Sequence, residues 1–177
     1  MRTKKYWLAL FVIAAMLFAA VPVSAATTKT PIHAIEYVCL KTPGQEWVSG
    51  NVYHLRGEVH ENVVVAGGEV WGVNTASIDL DYNLKKGQLV ARGFADFVPL
   101  GTDGGYTGTG FFRFFGSGAR PVIGLASLQG YGELQGSSVH LDMDGLPWDP
   151  AGDAYCAGHG VYIDTTQWEG YLQGAGG

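Results

Sequence analysis

The chain has 177 residues, of which 47% are hydrophobic and 12% aromatic, and its formal net charge is −5 at pH 7. A chain this apolar can form a core, which argues against disorder, and its acidic balance leaves no basic surface for phosphates, so nucleic acid is not an expected partner. Its 27 glycines beside 7 prolines are typical of a protein with many tight β-turns.

The first 25 residues have the three parts of a secretory signal peptide. Basic residues at positions 2, 4 and 5 precede an almost wholly apolar run from Tyr6 to Val23, and Val23-Ser24-Ala25 fits a signal-peptidase site. A retained membrane anchor is the alternative, because the apolar run approaches the roughly 20 residues that a spanning helix needs. Since Pro22 and the small residues after it favour cleavage, we expect a secreted protein, extracellular or periplasmic, without a membrane span after processing.

Cleavage also changes the charge balance and leaves one domain. It removes three of the eleven basic residues and no acidic residue, which leaves eight against sixteen. The remaining chain, about 150 residues, has the usual length of a single domain. We predict a flexible N-terminal segment over residues 26–34 and one domain over residues 35–177.

The mature chain contains two cysteines, Cys39 and Cys156, near its opposite ends. Export would place both in an oxidising compartment, so we predict a disulfide between them. Two separate buried thiols are the alternative.

Strand signals begin at residues 35–40 and are clearest from Val52 to Val65, where apolar residues alternate with polar ones. This period of two predicts a β-strand with one face in a core, and Gly57 in its middle predicts a bulge or bend. The simpler interpretation of its polar face is solvated surface, and a lined pocket is the alternative. Residues 66–74 are predicted as a loop with a short edge piece near Val70 and Trp71.

A hairpin follows, with strands from Ala76 to Leu84 and from Gln88 to Leu100 around the turn Lys85-Lys86-Gly87. Further strands are predicted near residues 106–115, 122–129, 138–144 and 161–172, and the mature chain shows no sustained helical period with caps. We therefore predict an all-β fold, an antiparallel closed or nearly closed barrel of about eight strands, with a β-sandwich as the alternative. Glycines inside the strands favour the barrel, because curved sheets need them.

The segment from Tyr106 to Phe115 is the most aromatic of these strands. Four phenylalanines surround Arg113 on both parities, which is typical of a strand covered on both sides. We expect this strand to form the centre of the core.

A resemblance rests on two glycine-bearing segments, Gly108-Thr109-Gly110-Phe111 and Gly130-Tyr131-Gly132-Glu133-Leu134-Gln135-Gly136. They resemble the paired strands of allene-oxide-cyclase-like and dirigent-like β-barrels, and of uncharacterised secreted bacterial proteins with similar barrels. The resemblance implies an eight-stranded barrel around a small apolar ligand or a reactive intermediate. Only the barrel architecture is inferred from this resemblance, because no catalytic residue of those families can be assigned to a position in this chain.

Several polar residues share one face of the strand at residues 52–65. Glu58 and His60 are about 6.5–7 Å apart along the strand and can share a metal ion or form an acid/base pair, whereas His54 is too distant from His60 to share a metal ion. The simpler interpretation is a solvated face with a weak ion pair between Arg56 and Glu58.

An acidic set spans a turn-rich loop near the C-terminus: Asp142, Asp144, Asp149 and Asp153. The spacing from Asp142 to Asp153 equals that of the first and last ligands of an EF-hand calcium loop. However, Leu146 and Pro147 occupy the positions where that loop needs an oxygen ligand and a glycine. We predict no metal site and keep these four carboxylates as weak candidates for a looser one. No motif for a nucleotide, phosphate or redox cofactor occurs, so no cofactor is expected.

Three functions remain open from the sequence. The first is binding of a small apolar molecule or a cell-surface component, with Phe112, Phe114 and Tyr131 as the expected contacts. The second is a cyclase or isomerase in which Tyr106, Arg113 or Glu133 polarises a substrate inside the barrel. The third is a structural protein of the cell envelope.

The barrel interior distinguishes these functions. Converging polar groups in an open interior favour the enzyme, and an open, wholly apolar interior favours the binding protein. A filled interior would exclude both the enzyme and the ligand-binding protein.

Overall fold

The structure, a computed structural model, describes residues 28–115 and 122–174, with side chains left out at positions 114, 115, 122 and 123. The predicted signal peptide, residues 1–25, lies outside the described residues. The described elements are β1 (Lys29–Thr42), β2 (Gln45–Ser49), β3 (Val52–Ala66), β4 (Glu69–Asn83), β5 (Gln88–Pro99), β6 (Gly104–Phe115), β7 (Val122–Gly132), β8 (Ser138–Gly145), α1 (Gly152–Tyr155) and β9 (Val161–Gln173).

Eight strands close into an antiparallel barrel, which confirms the predicted fold class. Their order is β1-β9-β8-β7-β6-β5-β4-β3, and β1 pairs with β3, for example at Glu36 opposite Val64. Closure gives each barrel strand two neighbours, so backbone groups that an open sheet would expose are paired. The ninth strand, β2, is exposed along its whole length and pairs with the first residues of β3.

The predicted hairpin is confirmed as β4 and β5, with Asn83 opposite Gln88 at the turn. The Asn83 side chain caps this turn by accepting hydrogen bonds from the backbone N–H groups of Lys85 and Lys86 at 3.1 and 2.9 Å. Gly87 supplies the positive φ, +61°, that the turn requires. The turn residues Asn83 and Gly87 therefore fix the register between β4 and β5.

Two predicted boundaries are wrong. β1 begins at Lys29 rather than at residue 35, so most of the segment predicted to be flexible is a strand that pairs with β9 as far as Gln173. β4 begins at Glu69, within the predicted loop. Both stretches have polar or mixed sequences, and pairing with neighbours in the closed barrel outweighs that local signal.

Beyond Gly57, the polar side of β3 faces the barrel interior, which corrects its interpretation as a solvated face for Glu58, His60 and Asn62. His60 is 4% and Asn62 3% exposed. Val63 and Val65, on the opposite parity, pack outside the barrel in a cluster that contains the disulfide. Because α1 and its flanking loops cover that outer side, both faces of this strand are buried from Asn62 to Val65.

One end of the barrel is filled by large side chains from β5, β6 and β9. Phe97 and Trp168 pack edge to face with ring centroids 5.4 Å apart, and Tyr106 stacks on Phe97 at 6.4 Å. Phe97 and Trp168 are 0% and 1% exposed, whereas Phe111 and Phe112 are half-buried. Tyr106, in the strand predicted to form the centre of the core, lies in this cluster, so the prediction is correct for Tyr106 and wrong for Phe111 and Phe112.

The predicted disulfide is confirmed: Cys39 on β1 and Cys156 after α1 are joined, with Cα atoms 5.4 Å apart. Beside it, Tyr37 stacks on Tyr155 with centroids 4.4 Å apart and donates a hydrogen bond to Asp149 Oδ2 at 2.9 Å. Burial and the neighbouring Asp149 carboxylate raise the pKa of Tyr37 to about 12. The disulfide and this cluster hold the α1 region against the outside of the barrel.

Candidate functional site

A cavity of about 220 Å³ lies inside the barrel, next to the aromatic core, and all eight barrel strands line it. This volume is more than ten times the roughly 10–15 Å³ that one water needs. The space exists because β4 to β7 present small residues to the interior. These are Ala76, Ala91, Gly93, Ala95, Gly110 and Ala126.

One wall of the cavity is polar and centres on Glu36, which is 4% exposed. Its Oε1 accepts hydrogen bonds from the amides of Asn62 at 2.8 Å and Asn74 at 2.7 Å, and its Oε2 accepts one from the Trp168 indole at 3.1 Å. Asn62 is held in place because its Oδ1 accepts the backbone N–H of Cys39 at 3.1 Å. Three N–H donors on one carboxylate offset part of its desolvation.

Glu58 and His60 form the second polar group of the cavity. His60 Nε2 lies 2.6 Å from Glu58 Oε1, and their side chains are 5% and 17% exposed, respectively. A bulge at Gly57, where φ is +67°, shifts the β3–β4 register between Leu55 and Glu58. Beyond the bulge Glu58 and His60 both line the cavity. The structure therefore brings together the two residues that sequence spacing had marked as a possible acid/base pair.

Two buried side-chain atoms within residues 28–115 and 122–174 have no hydrogen-bond partner: His60 Nδ1 and Asn74 Oδ1. Both residues line the cavity. A buried polar atom without a partner costs about 1–3 kcal/mol. Two such atoms in one wall indicate a site whose hydrogen bonds are completed by something other than this chain.

The remaining walls are mostly apolar. They include Ile78, Leu80, Phe112, Leu141 and Met143. The cavity therefore offers an apolar surface opposite a polar wall, which is the usual composition of a small-molecule site.

His54 and Arg56 lie on the other side of the bulge and outside the cavity lining. His54 Nδ1 and Arg56 Nη2 approach the same Asp81 oxygen at 2.6 and 2.7 Å, and Trp47 stacks on the His54 ring. The Arg56 guanidinium, aided by His54, holds the pKa of Asp81 below its usual range. Arg56 is thus paired with Asp81 rather than with Glu58, which corrects the predicted ion pair.

The three residues proposed from sequence as catalytic do not lie together. Tyr106 is buried in the aromatic core. Arg113 is exposed, 5.1 Å from the Phe111 ring centroid, and Glu133 is exposed in the turn after β7, where it accepts the backbone N–H of Asp103. None of the three lines the described cavity.

The aromatic residues expected to contact a ligand also separate. Phe112 lines the cavity. Tyr131 is 39% exposed and donates a hydrogen bond to Asp96 at 2.9 Å. The side chain of Phe114 lies outside the described part of the chain.

The four acidic residues near the C-terminus do not converge. Asp142 and Asp144 are exposed on β8, Asp149 accepts the Tyr37 hydroxyl, and Asp153 is exposed in α1. Within the described ranges, no group of three or more His, Cys, Asp or Glu side chains is placed to hold a metal ion.

Sequence reasoning missed Glu36, Asn62 and Asn74, which build the polar wall. The available signal was a carboxylate between Ala34 and Val38 in a largely apolar strand. A charged residue in such a strand is rarely buried unless it is paired, so its position indicates either a surface or a polar interior.

Comparisons with protein-family models, curated proteins and solved structures found no match for this chain. Among the described residues, no helix is both long and apolar enough to cross a membrane. The geometry alone therefore defines the class: an eight-stranded antiparallel barrel with an internal cavity that is apolar on most sides and polar on one.

Proposed function

We propose that the barrel binds one small, mainly apolar molecule in its internal cavity. The observation that carries this proposal is the mixed lining, in which an apolar surface faces a wall that retains two unpartnered polar atoms. A pocket that served packing alone would gain stability by being filled with apolar side chains. Small residues on four consecutive strands instead keep it open.

A cavity-filling substitution tests this proposal. Ala126→Leu extends a side chain into the cavity, and Ser127→Leu adds the same atoms on the exposed side of the same strand. In calorimetric titrations with toluene as the probe, we expect Ala126→Leu to weaken binding at least tenfold and Ser127→Leu to leave it unchanged. Equal affinity in the two variants would show that toluene binds elsewhere and would contradict the proposal.

We infer that the protein acts outside the cytoplasm, secreted to an extracellular or periplasmic location. The leader-like sequence of residues 1–25 and the Cys39–Cys156 disulfide support this inference. Intact mass measurement of the naturally produced protein should give a chain that begins at Ala26 and contains no free thiol. A mass that includes Met1 would refute export with cleavage.

A second candidate function is proton transfer in the bound molecule, as in an isomerase or cyclase. Converging polar groups in an open interior favour it, and the specific observation is the 2.6 Å contact of His60 Nε2 with Glu58. A carboxylate that accepts a hydrogen bond from Nε2–H leaves the Nδ1 lone pair free to act as a general base.

Deuterium exchange separates this enzyme from a binding protein. In D₂O, the wild-type protein should speed incorporation of deuterium next to the carbonyl of phenylacetone, and His60→Gln should abolish that acceleration. Equal rates with wild type, variant and buffer would leave binding as the function.

A further inference from the structure

The chemistry of the two unpartnered atoms is fixed by their neighbours. Asn74 Nδ2 donates to Glu36 Oε1 at 2.7 Å, so the free atom of this amide is its oxygen. Reversing the amide would place that oxygen against the Glu36 carboxylate, an acceptor against an acceptor. Asn74 therefore presents an acceptor that lacks a donor.

His60 presents a second acceptor by the same reasoning. Its Nε2 contacts the Glu58 carboxylate, which can only accept, so the hydrogen of the neutral ring lies on Nε2. The buried Nδ1 then carries a lone pair without a donor. A molecule in the cavity that satisfies this wall must bring hydrogen-bond donors rather than acceptors.

The charge of the lining points the same way. Glu36 and Glu58 both line the cavity, and the described lining contains neither lysine nor arginine. Carboxylates in a partly desolvated pocket repel an anion and attract a cation more strongly than they would in water. A fatty acid or a phosphate ester is thus a poor match for this wall.

We propose that the ligand carries a donor head group, a hydroxyl or a protonated amine, which meets His60 and Asn74 while an apolar body fills the rest of the cavity. This assignment rests on the proposed function, since it specifies the ligand of the same cavity. The ligand class is therefore a small apolar alcohol or amine and not a carboxylic acid.

Four probes with one benzene ring test the head group: toluene, benzyl alcohol, benzylamine and benzoate. In calorimetric titrations of the full chain at neutral pH, the alcohol or the amine should bind about tenfold more tightly than toluene, because the hydroxyl supplies one of the two missing hydrogen bonds and the protonated amine can supply both. Benzoate should bind more weakly than toluene. The tighter of the alcohol and the amine identifies the head group.

Two variants locate the preference. His60→Phe removes one of the two acceptors and should lower the ratio of alcohol to toluene affinity severalfold, whereas His140→Phe makes the same change on a histidine outside the cavity lining and should keep the wild-type ratio. Toluene binding with no preference for the donor probes, or benzoate binding as tightly as the alcohol, overturns the assignment but leaves the binding cavity in place. Failure of all four probes to bind overturns both. If His60→Phe does not fold, the wild-type ranking alone decides.

Discussion

Removal of the Cys39–Cys156 disulfide is expected to lower the free energy of unfolding by about 4–5 kcal/mol, one of the largest effects of any change in this chain. The bond closes a loop with a sequence separation of 117 residues, and such a long cross-link strongly restricts the unfolded chain. Cys39 is 0% and Cys156 1% exposed. Urea denaturation of the double variant Cys39→Ala/Cys156→Ala measures the loss.

The matching control is chemical reduction. A reducing agent should lower the urea midpoint of the wild-type protein toward that of the double variant and leave the midpoint of the double variant unchanged. A double variant with the wild-type midpoint would mean that the disulfide contributes little to stability and that packing of the α1 region suffices.

Replacement of Glu36 by leucine is expected to destabilise the fold by about 3 kcal/mol or more, although leucine is apolar and the site is buried. The substitution leaves the N–H donors of Asn62, Asn74 and Trp168 without their shared acceptor. Each buried N–H donor left without an acceptor costs about 1–3 kcal/mol, and this substitution leaves three of them. Chemical denaturation monitored by tryptophan fluorescence measures the change.

Two glutamine variants calibrate this effect. Glu36→Gln keeps the shape and one acceptor oxygen, so its loss should be about half that of Glu36→Leu. Glu69→Gln changes an exposed glutamate on β4 and should alter stability by less than about 0.5 kcal/mol. A Glu36→Leu protein as stable as wild type would contradict the claim that the hydrogen bonds to Glu36 stabilise the fold.

The barrel and its disulfide were predictable because their signals are local or compositional. Alternation from Ala76 to Leu84 and the Lys85-Lys86-Gly87 turn predicted the β4–β5 hairpin, and the observed register agrees. The two cysteines of the mature chain had one possible intramolecular pairing. Strand ends were less predictable, as β1 shows, because pairing around a closed barrel extends strands into sequences with weak local preference.

The site was only partly predictable, because a period of two gives two faces without saying which one is inside. In β3 the apolar parity, with Val63 and Val65, faces the outer cluster, and the polar parity, with His60 and Asn62, faces the barrel interior. The cover over the outer face comes from residues near position 156, almost 100 positions later in the chain. Such long-range contacts cannot be predicted from the alternation of apolar and polar residues within β3.

The central claim is that a small molecule occupies the barrel interior, and Met143 offers the most direct test. It is 5% exposed, lines the cavity and is the one methionine of the sequence after residue 25. In protein labelled with ¹³C at methionine methyl groups, the Met143 resonance, assigned by its loss in Met143→Leu, should shift and saturate as benzyl alcohol is added, and it should stay fixed in Ala126→Leu. A wild-type Met143 resonance that does not move while calorimetry reports saturated binding would contradict the claim.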